Sequence, residues 1–108
     1  MKQRPVPVPK PEASADLDAL ATAMAALTSP GDLRAFLEDL CTPAELEAMC
    51  DRWKVVPLLL QGLPYRDIHD RTAVSVTTIG RVARTLGRGA GGYARAARRL
   101  RLPSAPRH

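Results

Sequence analysis

Two helix-start signals constrain the fold of this chain more than any other feature. The segments Ser29–Asp32 (SPGD) and Thr42–Glu45 (TPAE) each combine a capping hydroxyl, a proline suited to the first helical position and an acid that can complete a capping box. Apolar side chains recur at helical spacing around both signals, and no segment alternates as a strand does. These patterns predict an all-α fold of about six helices.

Proline and glycine mark the boundaries of the predicted domain. Residues 1–14 contain four prolines and little that could form a core, which predicts a disordered arm. Residues 15–102 hold the predicted helices, and residues 103–108 are expected to form a flexible tail. The segment 87–92 (GRGAGG) predicts a flexible joint before the last helix, because it lacks the strand and the Lys-Ser/Thr ending of a phosphate loop.

The third predicted helix contains a local conflict. Pro57 lies within its apolar periodicity, where it removes a backbone donor and crowds the preceding turn, so a kink is expected there. Gly62 is expected to end the helix in the left-handed conformation.

Composition excludes several classes of protein. The longest apolar run, Val55–Leu60, has six residues and contains a proline, so no membrane span is expected. Two cysteines and two histidines lack the spacing of a disulfide framework or a zinc site. The sequence contains no nucleophile–base pair and no carboxylate pair at a spacing useful for catalysis, so an enzyme is not expected. A reduced, cytoplasmic protein without a metal is expected.

Charge is segregated along the chain. Residues 1–70 carry seven basic and eleven acidic side chains, whereas residues 71–108 carry nine arginines and no acid. This asymmetry favours a polyanionic partner for the C-terminal part, and arginine suits bidentate contacts to phosphate or guanine. The alternative is a basic segment that only keeps the chain solvated.

Residues 64–86 have the pattern of a helix-turn-helix. Pro64 starts a short helix with Tyr65 and Ile68 facing inward. Thr72-Ala73-Val74 then makes a tight turn, and Ser75 caps a second helix. The second helix has an apolar inner face formed by Ile79, Val82 and Leu86. Two short helices joined by a turn of three to four residues are the shape of this DNA-binding motif.

The outer face of the second helix provides the candidate DNA contacts. Thr77 and Val76 can contact base edges and thymine methyl groups, and Gly80 permits close approach. Arg66 can anchor a phosphate and set register. The complete candidate set is Arg66, His69, Ser75, Val76, Thr77, Gly80, Arg81, Arg84 and Arg88. The alternative is an ordinary helical hairpin with a solvated basic face.

Two positions depart from the usual motif. Ala73 stands where the turn favours glycine, and a left-handed conformation costs a residue with a Cβ roughly 1 kcal/mol. His69 stands where the close helix crossing favours alanine. Either His69 points outward to phosphate or the crossing is looser.

From about Asp32 to Tyr93 the chain resembles the Trp repressor superfamily, and most of all its YerC/YecD-type branch. The resemblance rests on LRAFLEDLCTPAELEAM at 33–49, DRWKVVPLLLQGLPYRDI at 51–68, VSVTTIGRV at 74–82 and GAGGY at 89–93. It implies an intertwined homodimer with two helix-turn-helix heads. Such a dimer binds a pseudo-palindromic operator with half-sites about one helical turn apart.

The resemblance also implies a candidate effector site for an aromatic amino acid. Arg52 and Arg81 match two arginines that sandwich the corepressor ring in the Trp repressor itself. Hydroxyl groups at neighbouring positions complete the set of Thr42, Arg52, Thr78, Arg81 and Thr85. Alternatively, Arg52 pairs with a nearby acid and Arg81 contacts phosphate.

Two functions therefore remain open from the sequence. The first is a dimeric, sequence-specific transcriptional regulator, most simply a repressor, whose partner is double-stranded DNA. The second is a helical module that joins a larger assembly and contacts RNA or an acidic protein through its basic end.

Overall fold

The computed structural model describes the backbone of residues 10–105 and the side chains of residues 12–105. Within this part the chain is entirely helical, which confirms the predicted fold class. The six helices are α1 (Lys10–Ala25), α2 (Pro30–Leu40), α3 (Pro43–Leu60), α4 (Tyr65–Thr72), α5 (Val76–Arg88) and α6 (Gly92–Arg99). They form two compact units, the first ending at Thr42 and the second beginning at Pro43. None of the described helices has the length and apolar character needed to cross a bilayer.

The first unit consists of α1 and α2, and local signals define the start of α2. The Ser29 hydroxyl accepts a hydrogen bond from the Asp32 backbone N–H at 3.1 Å, with Pro30 at the first helical position, as predicted. Helix α1 begins at Lys10, ahead of the predicted boundary at residue 15, because a proline in the first turn does not interrupt a helix. The remainder of the predicted arm, residues 1–9, lies outside the described residues.

The first unit has apolar side chains at helical spacing but no buried residue among those described. Leu17 of α1 is 67% exposed and Leu40 of α2 is 50% exposed. Leu20, Met24, Leu27, Leu33, Phe36 and Leu37 are only half-buried. The periodicity that predicts these helices therefore produces an apolar surface in the single chain.

The second unit has a small, fully formed core. Val55 and Val56 of α3 are completely buried, and α4 and α5 both pack against this helix. The buried cluster consists of Val55, Val56, Ile68, Val74, Ile79 and Val82. Ala97 of α6 is also buried, and α6 packs on α3 as well. Helix α3 is thus the element on which α4, α5 and α6 are positioned.

Helix α3 continues through Pro57 to Leu60. Its C-terminal end follows the predicted pattern, since Gly62 adopts a left-handed conformation with φ of 80°. The Gln61 N–H donates to the Pro57 carbonyl at 3.2 Å, so hydrogen bonding resumes one turn after the proline. The expected kink at Pro57 stays a prediction.

The connection between α5 and α6 is constrained by two glycines. Gly91 has φ of 88°, a conformation that favours glycine. At Gly89 a Cβ would lie 2.6 Å from the Thr85 carbonyl oxygen, closer than side chains tolerate. The glycines predicted to form a flexible joint therefore include two positions that the backbone geometry reserves for glycine.

The segment after α6 returns to the end of α3. The Ala105 N–H donates to the Leu60 carbonyl at 2.7 Å, so this part of the predicted tail has a defined contact. Residues 106–108 lie outside the described residues, and the predicted flexibility of the tail stays a prediction.

Candidate nucleic-acid interface

The turn between α4 and α5 is fixed by a compact set of hydrogen bonds. Ala73 ends α4 in the left-handed conformation, with φ of 63°, and its N–H donates to the His69 carbonyl at 2.8 Å. The Thr72 hydroxyl donates to the Ile68 carbonyl at 2.7 Å and accepts from the Val74 N–H at 3.1 Å. These bonds, together with the burial of Val74, compensate for an alanine at a position that favours glycine.

His69 belongs to the same hydrogen-bonded turn. Its Nδ1 lies 2.8 Å from the Val74 carbonyl oxygen, and because a carbonyl can only accept, Nδ1 carries the proton. The ring is exposed, yet it spans the turn from α4 to the residue before Ser75. In the neutral ring Nε2 is then an acceptor, so a phosphate contact by His69 requires the doubly protonated form. The structure places this candidate in a position that supports the turn.

Ser75 caps α5, as the sequence predicts. Its hydroxyl oxygen accepts from the Thr78 N–H at 3.1 Å, and the hydroxyl donates to Thr78 Oγ1 at 3.0 Å. This exposed side chain therefore orients the first turn of α5 through two hydrogen bonds. A further bond to DNA would have to share the same hydroxyl group.

The outer side of α5 is exposed except at Gly80, which is half-buried. Its inner side is anchored by Ile79 and Val82, which are at most 1% exposed. About 100° of rotation per residue places Val76, Thr77, Gly80, Arg81, Arg84 and Arg88 together on the opposite side. We call these six residues the α5 face. Val76 is 51% exposed, so its methyl groups are accessible to a partner.

Gly80 lies in the middle of the α5 face, next to Tyr65 of α4. A Cβ at Gly80 would lie 3.7 Å from Tyr65 Cε2, an ordinary van der Waals distance. The fold therefore does not require glycine at this position. Tyr65 itself is 41% exposed, so the expectation that it faces inward is wrong: it covers Gly80 at the surface rather than entering the core.

The α5 face is strongly basic. The three arginines of the α5 face are exposed, and none of them forms an ion pair with a residue between 10 and 105. Arg66 is also exposed on α4, where Asp67 and Asp70 are exposed on the same helix. Helix α5 contains no acidic residue, so its positive charge is not balanced within the helix.

The candidate effector residues are spread over several elements. Arg81 and Thr85 are on adjacent turns of α5, and the Thr85 hydroxyl donates to the Arg81 carbonyl at 3.0 Å. Thr78 is half-buried on the same helix, and Arg52 is half-buried on α3 without an ion pair in the described part of the chain. Thr42 belongs to the first unit.

An apolar cavity of about 370 Å³ lies beside one of these residues. Its walls are formed by Thr85, Leu86 and the segment 90–94, and they include neither Arg52 nor Arg81. The cavity thus does not unite the two guanidinium groups that a sandwich of an aromatic ring needs. Within the described residues, no cluster of three His, Cys, Asp or Glu side chains could hold a metal ion.

Sequence reasoning missed three features of this region. Thr72 and His69 tie the turn together, and Val74, taken as a turn residue, is 3% exposed and belongs to the core. The Thr72 hydroxyl accepts from a backbone N–H two residues later, and this local pattern is typical of turns. The contact of His69 with Val74 spans five residues and depends on the turn geometry, so no local pattern reveals it.

Comparison with known proteins gives a consistent assignment. The family model described as Trp repressor protein matches residues 15–101. The uncharacterized protein YerC of Bacillus subtilis (strain 168) is 36% identical over 66 residues. That alignment covers 61% of this chain and 64% of YerC, so the chain spans less than two thirds of this relative's length.

Two crystal structures have the same fold. A protein from Staphylococcus aureus, described as a candidate Trp repressor, superposes with a TM-score of 0.79 at 29% identity, covering 90% of this chain and 99% of its own. A TrpR-like protein from Eubacterium eligens ATCC 27750 gives 0.76 at 31% identity, covering 86% and 94%. With a family model that spans most of its length and relatives that share its fold, the chain belongs to the Trp repressor family.

Proposed function

We propose that this protein is a sequence-specific, DNA-binding transcriptional regulator, acting as a repressor in the cytoplasm. The observation that carries the proposal is the α5 face: an exposed, basic helix surface held outward by a fully buried inner side and a hydrogen-bonded turn. A helix of this shape fits the major groove of B-DNA. Membership of the Trp repressor family supports the same function.

Each side chain of the α5 face has a distinct use in a groove. The Thr77 hydroxyl can bond a base edge, and the exposed Val76 can pack on a thymine methyl group. Arg81, Arg84 and Arg88 can pair with phosphate or guanine through two parallel N–H groups. Because Ile79 and Val82 fix the helix, these contacts form with little further loss of backbone freedom.

The proposed regulator works as a homodimer. The apolar surfaces of α1 and α2 are uncovered in the single chain, and exposed leucines such as Leu17 and Leu40 are costly in water. A second copy presents the same surfaces, so the two chains can cover each other around a two-fold axis. The two α5 faces would then bind half-sites of a pseudo-palindromic operator about one helical turn apart.

Binding of an aromatic amino acid effector is a separate part of the proposal. Arg52 is half-buried and has no anionic partner among residues 10–105, so its guanidinium is available to a carboxylate or an aromatic ring. Arg81, Thr78 and Thr85, all on α5, would supply the remaining contacts. Calorimetry with aromatic amino acids tests this directly, and absence of heat would remove the effector from the proposal.

The test of DNA binding is a gel-shift titration on genomic fragments with excess random competitor. Thr77→Glu places a negative charge in the middle of the α5 face and should abolish specific binding while the circular dichroism spectrum is unchanged. The matched control is Gln61→Glu, which adds the same charge at an exposed position after α3. Normal binding by Thr77→Glu would contradict the assignment of the α5 face.

A helical module that binds RNA or an acidic protein is the competing function. It predicts that random competitor removes all DNA binding from the wild-type protein, whereas the proposed regulator retains its operator complex. Salt dependence alone does not separate the two, because both bind a polyanion.

A further inference from the structure

A second basic surface lies on α6 and the turn that follows it. Arg95, Arg98 and Arg99 of α6 are exposed, as is Arg101 after the helix. The inner side of α6 is fixed by Ala97, which is 4% exposed. At about 100° per residue, Arg95 and Arg99 lie on the side opposite to Ala97. We call these four arginines the α6 basic surface.

The α6 basic surface has no counter-charge in its own part of the chain. Residues 71–108 contain no acid, and none of the four arginines forms an ion pair within residues 10–105. Arg95 and Arg99 are four residues apart on the helix, where like charges repel each other. A bound anion would relieve this repulsion, and guanidinium groups match the geometry of phosphate oxygens.

The backbone at Arg101 caps the C-terminal end of α6 and sets where this arginine leaves the helix. Its φ is 57°, a left-handed conformation that normally falls to glycine or asparagine. The Leu102 N–H donates to the Ala97 carbonyl at 3.0 Å, so this conformation closes the C-terminal end of α6, where glycine would carry less strain.

Stabilisation of the helix dipole does not account for the surface. Cations near the C-terminal end of a helix are favourable, which suits Arg98 and Arg99. Arg95, however, lies in the first half of α6, and its guanidinium is 3.5 Å from the position of a Cβ on Gly91, next to the helix start. A cation at that end opposes the dipole, so its presence needs a different reason.

We propose that the α6 basic surface binds phosphates of duplex DNA outside the base pairs contacted by the α5 face, which rests on the proposed function. Duplex fits better than single-stranded nucleic acid, because the latter requires exposed rings for base stacking. Tyr93, the aromatic residue of α6, is half-buried, with its ring centroid 6.3 Å from that of Trp53. The contacts would be independent of sequence and would lengthen the bound segment of DNA.

The test compares two double variants that remove the same charge. Arg95→Gln with Arg99→Gln removes two unpaired arginines from the α6 basic surface. Arg34→Gln with Lys54→Gln removes two cations that lie 3.7 Å and 3.5 Å from acids of their own helices. Fluorescence anisotropy measures the binding of each to a random duplex of about 40 base pairs and to a selected operator of ~20 base pairs, the length that two half-sites cover.

The α6 variant should bind the long duplex several-fold more weakly than wild type. Its plot of log K against log salt should be shallower by about 0.9 for each phosphate that the variant no longer neutralises. The control variant should match wild type in both measurements. Equal weakening of the two variants, or an unchanged salt slope in the folded α6 variant, would overturn the proposal, as would tighter binding of single-stranded RNA than of the duplex.

Arg101→Gly separates a binding role from a structural one. It should raise the melting temperature by relieving strain and, at the same time, reduce the salt slope on the long duplex. A higher melting temperature with an unchanged slope would exclude Arg101 from the surface. If the wild-type protein binds the operator no more tightly than random duplex, the proposed function is refuted. The proposal for the α6 basic surface is still tested in that case, because the salt slope on the random duplex reports on it.

Discussion

Replacing Gly80 by alanine should make the protein more stable and at the same time weaken its binding to DNA. Alanine in a helix interior is more favourable than glycine by about 0.5–1 kcal/mol. The main reason is that an unfolded chain with alanine has less conformational freedom to lose on folding. The new Cβ would meet Tyr65 Cε2 at 3.7 Å, an ordinary contact, so no steric cost reduces this gain. For a domain of this size, 1 kcal/mol corresponds to a rise of about 4–8 °C in Tm.

The effect on binding has the opposite sign. Gly80 lies between Val76 and Arg84 on the α5 face. In the proposed complex, close approach of the backbone at Gly80 would bring both side chains to the bases. A methyl group there would push the helix outward and strain its direct base contacts, each worth about 1–3 kcal/mol. We expect at least a tenfold loss of operator affinity, which is about 1.4 kcal/mol.

Gly31→Ala is the matched control, because Gly31 belongs to α2 rather than α5 and a Cβ there would meet no atom within 4 Å. It should raise Tm without a change in operator affinity. Thermal melts followed by circular dichroism and anisotropy titrations measure the two quantities on the same samples. Wild-type affinity in Gly80→Ala would refute the close approach, and a lower Tm would refute the packing argument at Tyr65.

Three further perturbations address the core, the turn and the apolar surface. Ile68→Ala removes a fully buried side chain and should cost about 2–5 kcal/mol in urea unfolding; a loss below about 1 kcal/mol would contradict its central position. Thr72→Val keeps the shape but removes both turn hydrogen bonds, so we expect a loss of about 1–3 kcal/mol in the same assay, whereas no loss would show that the turn holds without them. Leu40→Glu should shift sedimentation from dimer to monomer, and an unshifted dimer would exclude this part of the apolar surface from the interface.

Much of the second unit could be predicted because its signals are local. The cap at Ser75 joins residues three apart, and the left-handed Gly62 follows directly on the helix it ends. The buried positions Ile68, Ile79 and Val82 follow from helical periodicity alone. Such features need no knowledge of distant parts of the chain.

The features that escaped prediction depend on contacts made in three dimensions. Val74 is buried because α3, α4 and α5 converge on the turn, although a turn residue is normally exposed. The left-handed conformation of Ala73 is predictable from the motif, but the hydrogen bonds of Thr72 and His69 that fix the backbone around it are not. Leu17 has the spacing of a core residue but is 67% exposed, since periodicity identifies an apolar face without identifying what covers it.

The two glycines after α5 affect the spacing between α5 and α6. Gly89 and Gly91 are required by close contact and by backbone angle, so the path of the link depends on glycine at both positions. In the proposed complex, a link that keeps this path would set the interval between the phosphates bound by α5 and those bound by α6. The length of protected DNA in a footprint should then stay constant as temperature changes, whereas a loose tether would blur its outer edge.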